Sequence, residues 1–141
     1  MKGRLFLLLC SVSVTTAIAA PARAGTYLDT VALLLDESKR SGDFVQTHFP
    51  DKQLAVIAHQ LAEARVKTGR AVMVPRDVEK AHPHLLLSLE AMERAMAAAE
   101  DQEGERFLKL IAQAREEESN YRALLGQQRL TVPVLEKCRR E

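Results

Sequence analysis

Apolar residues recur every three or four positions through most of the chain after residue 26, which is the spacing of amphipathic helices. The first stretch predicts a helix over 27–47, because the residue before Pro50 is pushed out of helical geometry. Asp51 can cap a second helix, which we expect to end at Lys67 with Gly69 just beyond. The expected inward faces are Leu28, Val31, Leu35, Ser38, Gly42, Val45 and Phe49 in the first helix, and Leu54, Ile57, Leu61 and Ala64 in the second.

The pattern breaks over residues 70–83, where an apolar and partly β-branched run, 71–74, is followed by Pro75. We interpret this segment as a crossover connection with a helical turn or two. Pro83 suits the first turn of a third helix, since proline lacks only a backbone donor that is unpaired there anyway. The expected inward face of that helix is Leu85, Leu89, Met92, Met96 and Ala99.

A fourth helix is predicted over 105–125, with Gly126 as its stop. Its apolar face runs almost in phase with the third, so one long helix over 84–125 is the alternative, although Asp101 and Gly104 favour a turn. Four amphipathic helices without a strand pattern predict an all-α protein, an antiparallel up-and-down four-helix bundle over residues 25–128. A basic tail, residues 129–141, follows and is expected to add at most a short helix.

Residues 1–24 are typical of a cleavable secretory signal peptide. Lys2 and Arg4 precede an apolar run that fades toward Ala24, and Ala22-Arg23-Ala24 places small residues where signal peptidase reads. We therefore predict cleavage after Ala24 and an exported protein, periplasmic or extracellular. An uncleaved membrane anchor and lipid attachment at Cys10 are the alternatives, but the apolar run is shorter than the ~20 residues of a membrane span.

Composition narrows the classes of partner. The predicted signal removes three of the 20 basic residues and none of the 19 acidic ones, which leaves 17 against 19 and a net charge near −2. Nothing in that balance favours nucleic acid or an anionic membrane, and no stable membrane anchor is expected after cleavage. Cys138 is then the single cysteine, so no intrachain disulfide forms; it is a bystander thiol or pairs with another chain.

One group of residues has the side chains of a metal site. Glu79 and His82 stand at i and i+3, and His84 follows beyond Pro83. Pro83 pulls His82 out of helical geometry, so a solvated loop is the competing interpretation and no cofactor is expected. Glu117 or Glu118 falls on or beside the inward face of the fourth helix, whereas His59 and Glu63 lie off the predicted face of the second and are interpreted as surface.

The sequence contains no CxxCH, CxxC, HExxH, GxSxG or glycine-rich phosphate loop, so no catalytic site is predicted and the protein is not expected to be an enzyme. Six of the 19 carboxylates stand four residues before a basic residue, as on solvated helix surfaces, so we expect most carboxylates to lie on the surface. We therefore expect a non-catalytic binding or structural module of the cell envelope. A metal- or haem-binding bundle of the periplasm is the alternative.

The third helix has more apolar surface than one helix pair requires, because two leucines flank its inward stripe. Together with the preceding apolar run, this surplus predicts a patch that binds a protein partner or a second copy of the chain. Packing of both leucines inside the bundle is the alternative. The residues of this predicted patch are Val72, Met73, Leu86 and Leu87.

Overall fold

A computed structural model describes the backbone of residues 24–138 and the side chains of residues 26–127. The described part is all-helical and contains no strand, which confirms the predicted fold class. Residues 1–23 of the predicted signal segment and the side chains of the basic tail lie outside the described residues. The four helices are α1 (Ala24–Thr47), α2 (Lys52–Ala71), α3 (His82–Glu100) and α4 (Gly104–Cys138), and a short 3-10 helix, Arg76–Val78, precedes α3.

The connection between α1 and α2 follows the predicted turn chemistry. The Asp51 carboxylate accepts a hydrogen bond from the backbone N–H of Leu54 at 3.1 Å, which satisfies one of the unpaired donors at the start of α2. The predicted end at Lys67 is wrong, because α2 continues through Gly69 to Ala71. Gly69 is buried, and a Cβ there would lie 2.8 Å from Leu89 Cδ1. This glycine therefore permits close approach of α3 rather than ending the helix.

The inward face of α2 differs from the predicted one. Ile57 and Leu61 are 56% and 50% exposed, and Leu54 is only half-buried. The face that packs inward instead consists of small residues and one valine. Tight packing on the alanine-rich α3 selects small side chains, because the distance between two helix axes depends on the side chains at the contact. The buried residues of α2 are Ala55, Ala58, Ala62, Val66 and Gly69.

Helices α3 and α4 are separate, so the single-helix alternative is wrong. Gln102 adopts the left-handed conformation, with φ of 60°, and breaks the helical path between them. Its side-chain amide donates to the backbone oxygens of Ala99 and Phe49, at 2.9 and 3.2 Å. These bonds hold the turn against the end of α1.

The predicted stop at Gly126 is also wrong, since α4 runs on to Cys138. No described glycine has a positive φ, and a Cβ at Gly126 would meet nothing within 4 Å. The residue is thus an exposed glycine inside a helix, where its cost is entropic and amounts to about 1 kcal/mol relative to alanine. A cost of that size is too small to end a helix by itself.

Helix α3 lies at the centre and contacts each of the other three helices. Two clusters of buried residues surround it. The cluster nearer the α3–α4 turn contains Phe107, Ile111, Met92 and Met96 together with the alanines of α2 and α3, and the other contains Tyr27, Val31, Leu85 and Tyr121. The inward residues predicted for α3 are therefore confirmed, since Leu85, Leu89, Met92, Met96 and Ala99 are all buried. The buried residues of α4 are Phe107, Ile111, Ala114 and Tyr121.

None of the helices within the described part is long and apolar enough to cross a membrane.

Candidate functional site

The outer surface of the α1–α2 pair exposes large apolar side chains. On α1, Leu33 and Phe44 are 62% and 52% exposed, and Ile57 and Leu61 of α2 are exposed to a similar degree. Helical spacing places each pair on the side of its helix that borders the other helix. The Glu37 carboxylate lies 3.9 Å from the Arg65 guanidinium, so these sides of the two helices border each other. We call the surface formed by Leu33, Phe44, Ile57 and Leu61 the hairpin face.

The predicted patch near the start of α3 is only partly exposed. Met73 and Leu87 are 59% and 40% exposed. Val72 is half-buried and packs against a core cluster, and Leu86 is half-buried with its Cδ2 close to Gly69. The structure thus places Val72 and Leu86, two of the four residues of the predicted patch, partly inside the bundle. Partner binding at these residues stays a prediction.

The structure does not bring the predicted metal ligands into one group. Glu79 is exposed, His82 Nδ1 lies 3.0 Å from the Tyr27 hydroxyl, and His84 Nδ1 lies 2.7 Å from a Glu117 oxygen. Glu117 and Glu118 are both partly buried, as expected from their place beside the inward face of α4. Glu118 accepts from the Arg122 guanidinium at 2.6 Å.

His82 belongs to a polar network at the end of the bundle. The hydroxyl of buried Tyr27 interacts with both His82 and Tyr121, and burial, followed by the hydrogen bond with Tyr121, raises the pKa of Tyr27 well above its usual range. Tyr27 therefore keeps its proton. Burial lowers the pKa of His82, so this imidazole is held in its neutral form more strongly than an exposed histidine.

The lowered pKa of His82 predicts that the free energy of unfolding decreases as the pH falls below neutral. The pKa of His82 is lower in the folded chain than in the unfolded one, so the unfolded chain binds more protons as the pH falls through about 6.5. The free energy of unfolding contributed by this site is therefore highest above that pH and falls on acidification. Denaturant unfolding between pH 5 and 8 should show a smaller acid-side loss in His82→Gln than in the wild type.

The matched control for this prediction is Tyr27→Phe, which removes the hydrogen bond but keeps the burial that lowers the pKa of His82. We expect this variant to retain the acid-side loss. An identical pH dependence in His82→Gln and the wild type would contradict the assignment.

A second polar group, which we call the His59 cluster, lies between α2 and α3 and consists of His59, Glu63, Glu93 and Glu100. His59 Nδ1 lies 2.8 Å from Glu100 Oε2, and Nε2 lies 3.4 Å from Glu93 Oε1. One ligand atom each of His59, Glu63 and Glu93 lies within 4.8 Å of the other two. The sequence analysis interpreted His59 as a surface residue. In the structure it is part of a cluster between two helices.

The electrostatics of the His59 cluster reflect its carboxylates. Burial alone would lower the pKa of His59, but the hydrogen bonds with Glu100 and Glu93 outweigh it and raise that pKa. In the described part of the chain, neither Glu63 nor Glu93 pairs with a lysine or arginine. The cluster is thus rich in negative charge and has one imidazole to balance it.

The sequence indicates only two of the four residues of this cluster. His59 and Glu63 are visible as an i, i+4 pair, but Glu93 and Glu100 lie more than 30 residues away and meet them only because α2 packs on α3. The Arg70–Glu90 ion pair, at 2.8 Å, joins the same two helices at the other end of their contact. A signal was available in principle, since these glutamates stand seven residues apart on one side of α3.

Comparison with models of known families, with curated proteins and with solved structures finds no match to this chain.

Proposed function

We propose that this protein is an exported, antiparallel up-and-down helical bundle that acts without catalysis, by binding a protein surface through the hairpin face. The partner that fits best is a second copy of the chain. The observation that carries this proposal is the exposure of large apolar side chains on α2 while its alanines face inward. Export rests on the signal-like residues 1–24, and the absence of catalysis rests on the lack of catalytic motifs.

The outer surface of the α1–α2 pair, which includes the hairpin face, is large enough for a dimer interface. A helix of 24 residues, the length of α1, is about 36 Å long. Two helices of about 10 Å diameter with axes 8–10 Å apart present a surface about 20 Å wide, so the footprint is about 700 Å². This is close to the ~800 Å² that each partner contributes to a standard interface. The whole outer surface of the α1–α2 pair, which includes the hairpin face, therefore has about the area that one partner contributes to a specific dimer.

The charges around the hairpin face favour self-association. Arg40 pairs with Asp36 at 2.8 Å and lies 3.8 Å from Glu37, and Arg65 borders the same surface. Positively and negatively charged side chains are therefore both present on this surface. In a two-fold dimer each residue of the patch meets the same patch of the other copy, so acidic and basic groups on its rim can pair.

Sedimentation equilibrium over a wide concentration range tests the proposal. We expect a reversible dimer for the wild type and a monomer for Leu61→Glu, because a carboxylate at the centre of an apolar contact would be desolvated. Leu108→Glu on α4 is the matched control, since Leu108 is 51% exposed and Leu61 50%. Both variants should keep the helical circular dichroism of the wild type, and its thermal midpoint at a concentration where the wild type is monomeric, because neither side chain is in the core.

A monomeric wild type at all concentrations would overturn the proposal. A dimer that survives Leu61→Glu but dissociates in Leu87→Glu would overturn it as well, and would assign the interface to the patch predicted from the sequence. A dimer lost only in Leu108→Glu would place the contact on α4 and exclude the hairpin face.

A further inference from the structure

We propose that His59, Glu63 and Glu93 form a zinc site between α2 and α3, with Glu100 as the residue that orients the imidazole. This assignment goes beyond the dimer proposal and does not depend on it. It also departs from the sequence expectation, which named a different group of residues and no bound cofactor.

The spacing of the donor atoms fits a tetrahedral ion. Zinc binds histidine nitrogen and carboxylate oxygen at about 2.0–2.2 Å, so neighbouring donors around a tetrahedral ion lie about 3.4 Å apart. His59 Nε2 and Glu93 Oε1 are 3.4 Å apart, and the Glu63 donor lies within 4.8 Å of both. Glu63 is exposed, so its side chain has room to adopt another rotamer nearer the other two donors.

The orientation of His59 is an independent observation. Metal-binding histidines usually donate their second ring N–H to a carboxylate or carbonyl, which fixes the tautomer and the direction of the ligating nitrogen. Glu100 Oε2 lies 2.8 Å from His59 Nδ1, so Nδ1–H can donate to it. In the metal-free chain Nε2–H can donate to Glu93, and a cation that displaces this proton would be bound by Nε2 with the Glu93 carboxylate beside it.

Charge and packing distinguish this cluster from an ordinary surface ion pair. With neutral His59 the cluster holds three carboxylates, and within the described residues Glu63 and Glu93 have no lysine or arginine partner. Bringing such carboxylates together is unfavourable unless a cation offsets their repulsion. A divalent ion would do so, and it would be held between two helices whose contact contains closely packed alanines.

Imidazole together with carboxylates and no thiolate suits zinc better than magnesium or calcium, which prefer oxygen ligands alone. The side chains of His59 and Glu93 are 23% and 30% exposed, so an ion can enter from solvent. Three protein ligands leave a fourth position for water. The chemistry therefore indicates one exchangeable zinc ion per chain.

The experiment is calorimetric titration of the full chain with zinc chloride, after chelator treatment and dialysis. We expect one equivalent per chain in the wild type, and loss of that equivalent in His59→Ala. Glu93→Gln should weaken binding at least about tenfold, and Glu100→Gln about 10- to 100-fold through the orientation of the imidazole. Cobalt titration followed by absorption provides a second readout, since tetrahedral cobalt absorbs far more strongly than the hydrated ion.

Two histidine variants serve as matched controls. His48 is exposed and its Nδ1 contacts the backbone oxygen of Phe44 in its own turn, and His84 pairs with Glu117 elsewhere. His48→Ala and His84→Ala should bind zinc like the wild type. All variants should keep the thermal midpoint of the wild type in the presence of chelator to within a few degrees, which separates lost ligands from lost folding.

Two results would overturn the zinc site: no saturable binding by the wild type at micromolar zinc, or full binding by His59→Ala. Binding lost in His84→Ala but kept in His59→Ala would assign the metal to the group predicted from the sequence instead. The Leu61→Glu variant should still bind one equivalent, because Leu61 lies on the opposite side of α2 from His59 and Glu63. Failure of the zinc site and failure of the dimer are therefore distinguishable.

Discussion

Replacing Phe107 with alanine is expected to lower the free energy of unfolding by about 3–5 kcal/mol. Phe107 is 1% exposed, and its ring lies 5.3 Å from that of Phe49, measured between centroids. The ring therefore connects α4 to the end of α1, and its removal leaves a cavity as well as losing an aromatic contact. Denaturant unfolding followed by circular dichroism measures the effect.

The neighbouring residue provides the control for Phe107→Ala. Leu108 is 51% exposed, and Leu108→Ala should change the free energy of unfolding by no more than about 0.5 kcal/mol. All measurements need the same protein concentration, because a dimer makes apparent stability concentration-dependent. Equal losses in the two variants would show that α4 does not pack through the face that contains Phe107.

Ala62→Leu is expected to destabilise the chain by about 1–3 kcal/mol, whereas Leu61→Ala should change the stability of the folded monomer by less than about 1 kcal/mol. Ala62 is 2% exposed and lies on the face of α2 that packs against α3. A larger side chain there forces the two helices apart or twists side chains out of their preferred rotamers. Leu61 faces solvent, so its truncation removes little buried surface.

This pair of variants decides between two inward faces of α2. The apolar periodicity of the sequence predicts that Leu61 is core, in which case Leu61→Ala would cost about 2–5 kcal/mol and Ala62→Leu would be tolerated. The experiment compares the denaturant midpoints of the two variants with that of the wild type at a concentration where all three proteins are monomeric. A larger loss in Leu61→Ala than in Ala62→Leu would contradict the packing described above.

The candidate sites were harder to predict than the helices. His82 and His84 stand close in the sequence, yet each turns to a different helix, to Tyr27 of α1 and to Glu117 of α4. Residues that are close in the sequence of a helix need not be close in space. Successive residues are about 100° apart around the axis, so residues two positions apart, such as His82 and His84, lie on nearly opposite sides. The His59 cluster shows the converse, since its carboxylates are distant along the chain and adjacent in space.

The sequence by itself determined that this protein is helical and, approximately, where each helix lies. Helical spacing of apolar residues, the cap at Asp51 and the breaks at Pro50 and Pro83 are local signals, and local backbone geometry responds to them directly. The length of α4 is the exception, because the glycine at 126 weakens a helix by only about 1 kcal/mol and does not force its end.

Only the tertiary structure decided which face of α2 is buried and which side chains meet across helices. Periodicity reports hydrophobicity and not volume, so it selected Ile57 and Leu61 over the smaller Ala58 and Ala62. Close packing reverses that choice, because α3 brings its own alanines to the contact and only small partners allow the axes to approach. The hairpin face and the His59 cluster both follow from the orientation of α2 about its own axis. Because its alanines face α3, its large apolar side chains are exposed and His59 lies beside Glu93 and Glu100.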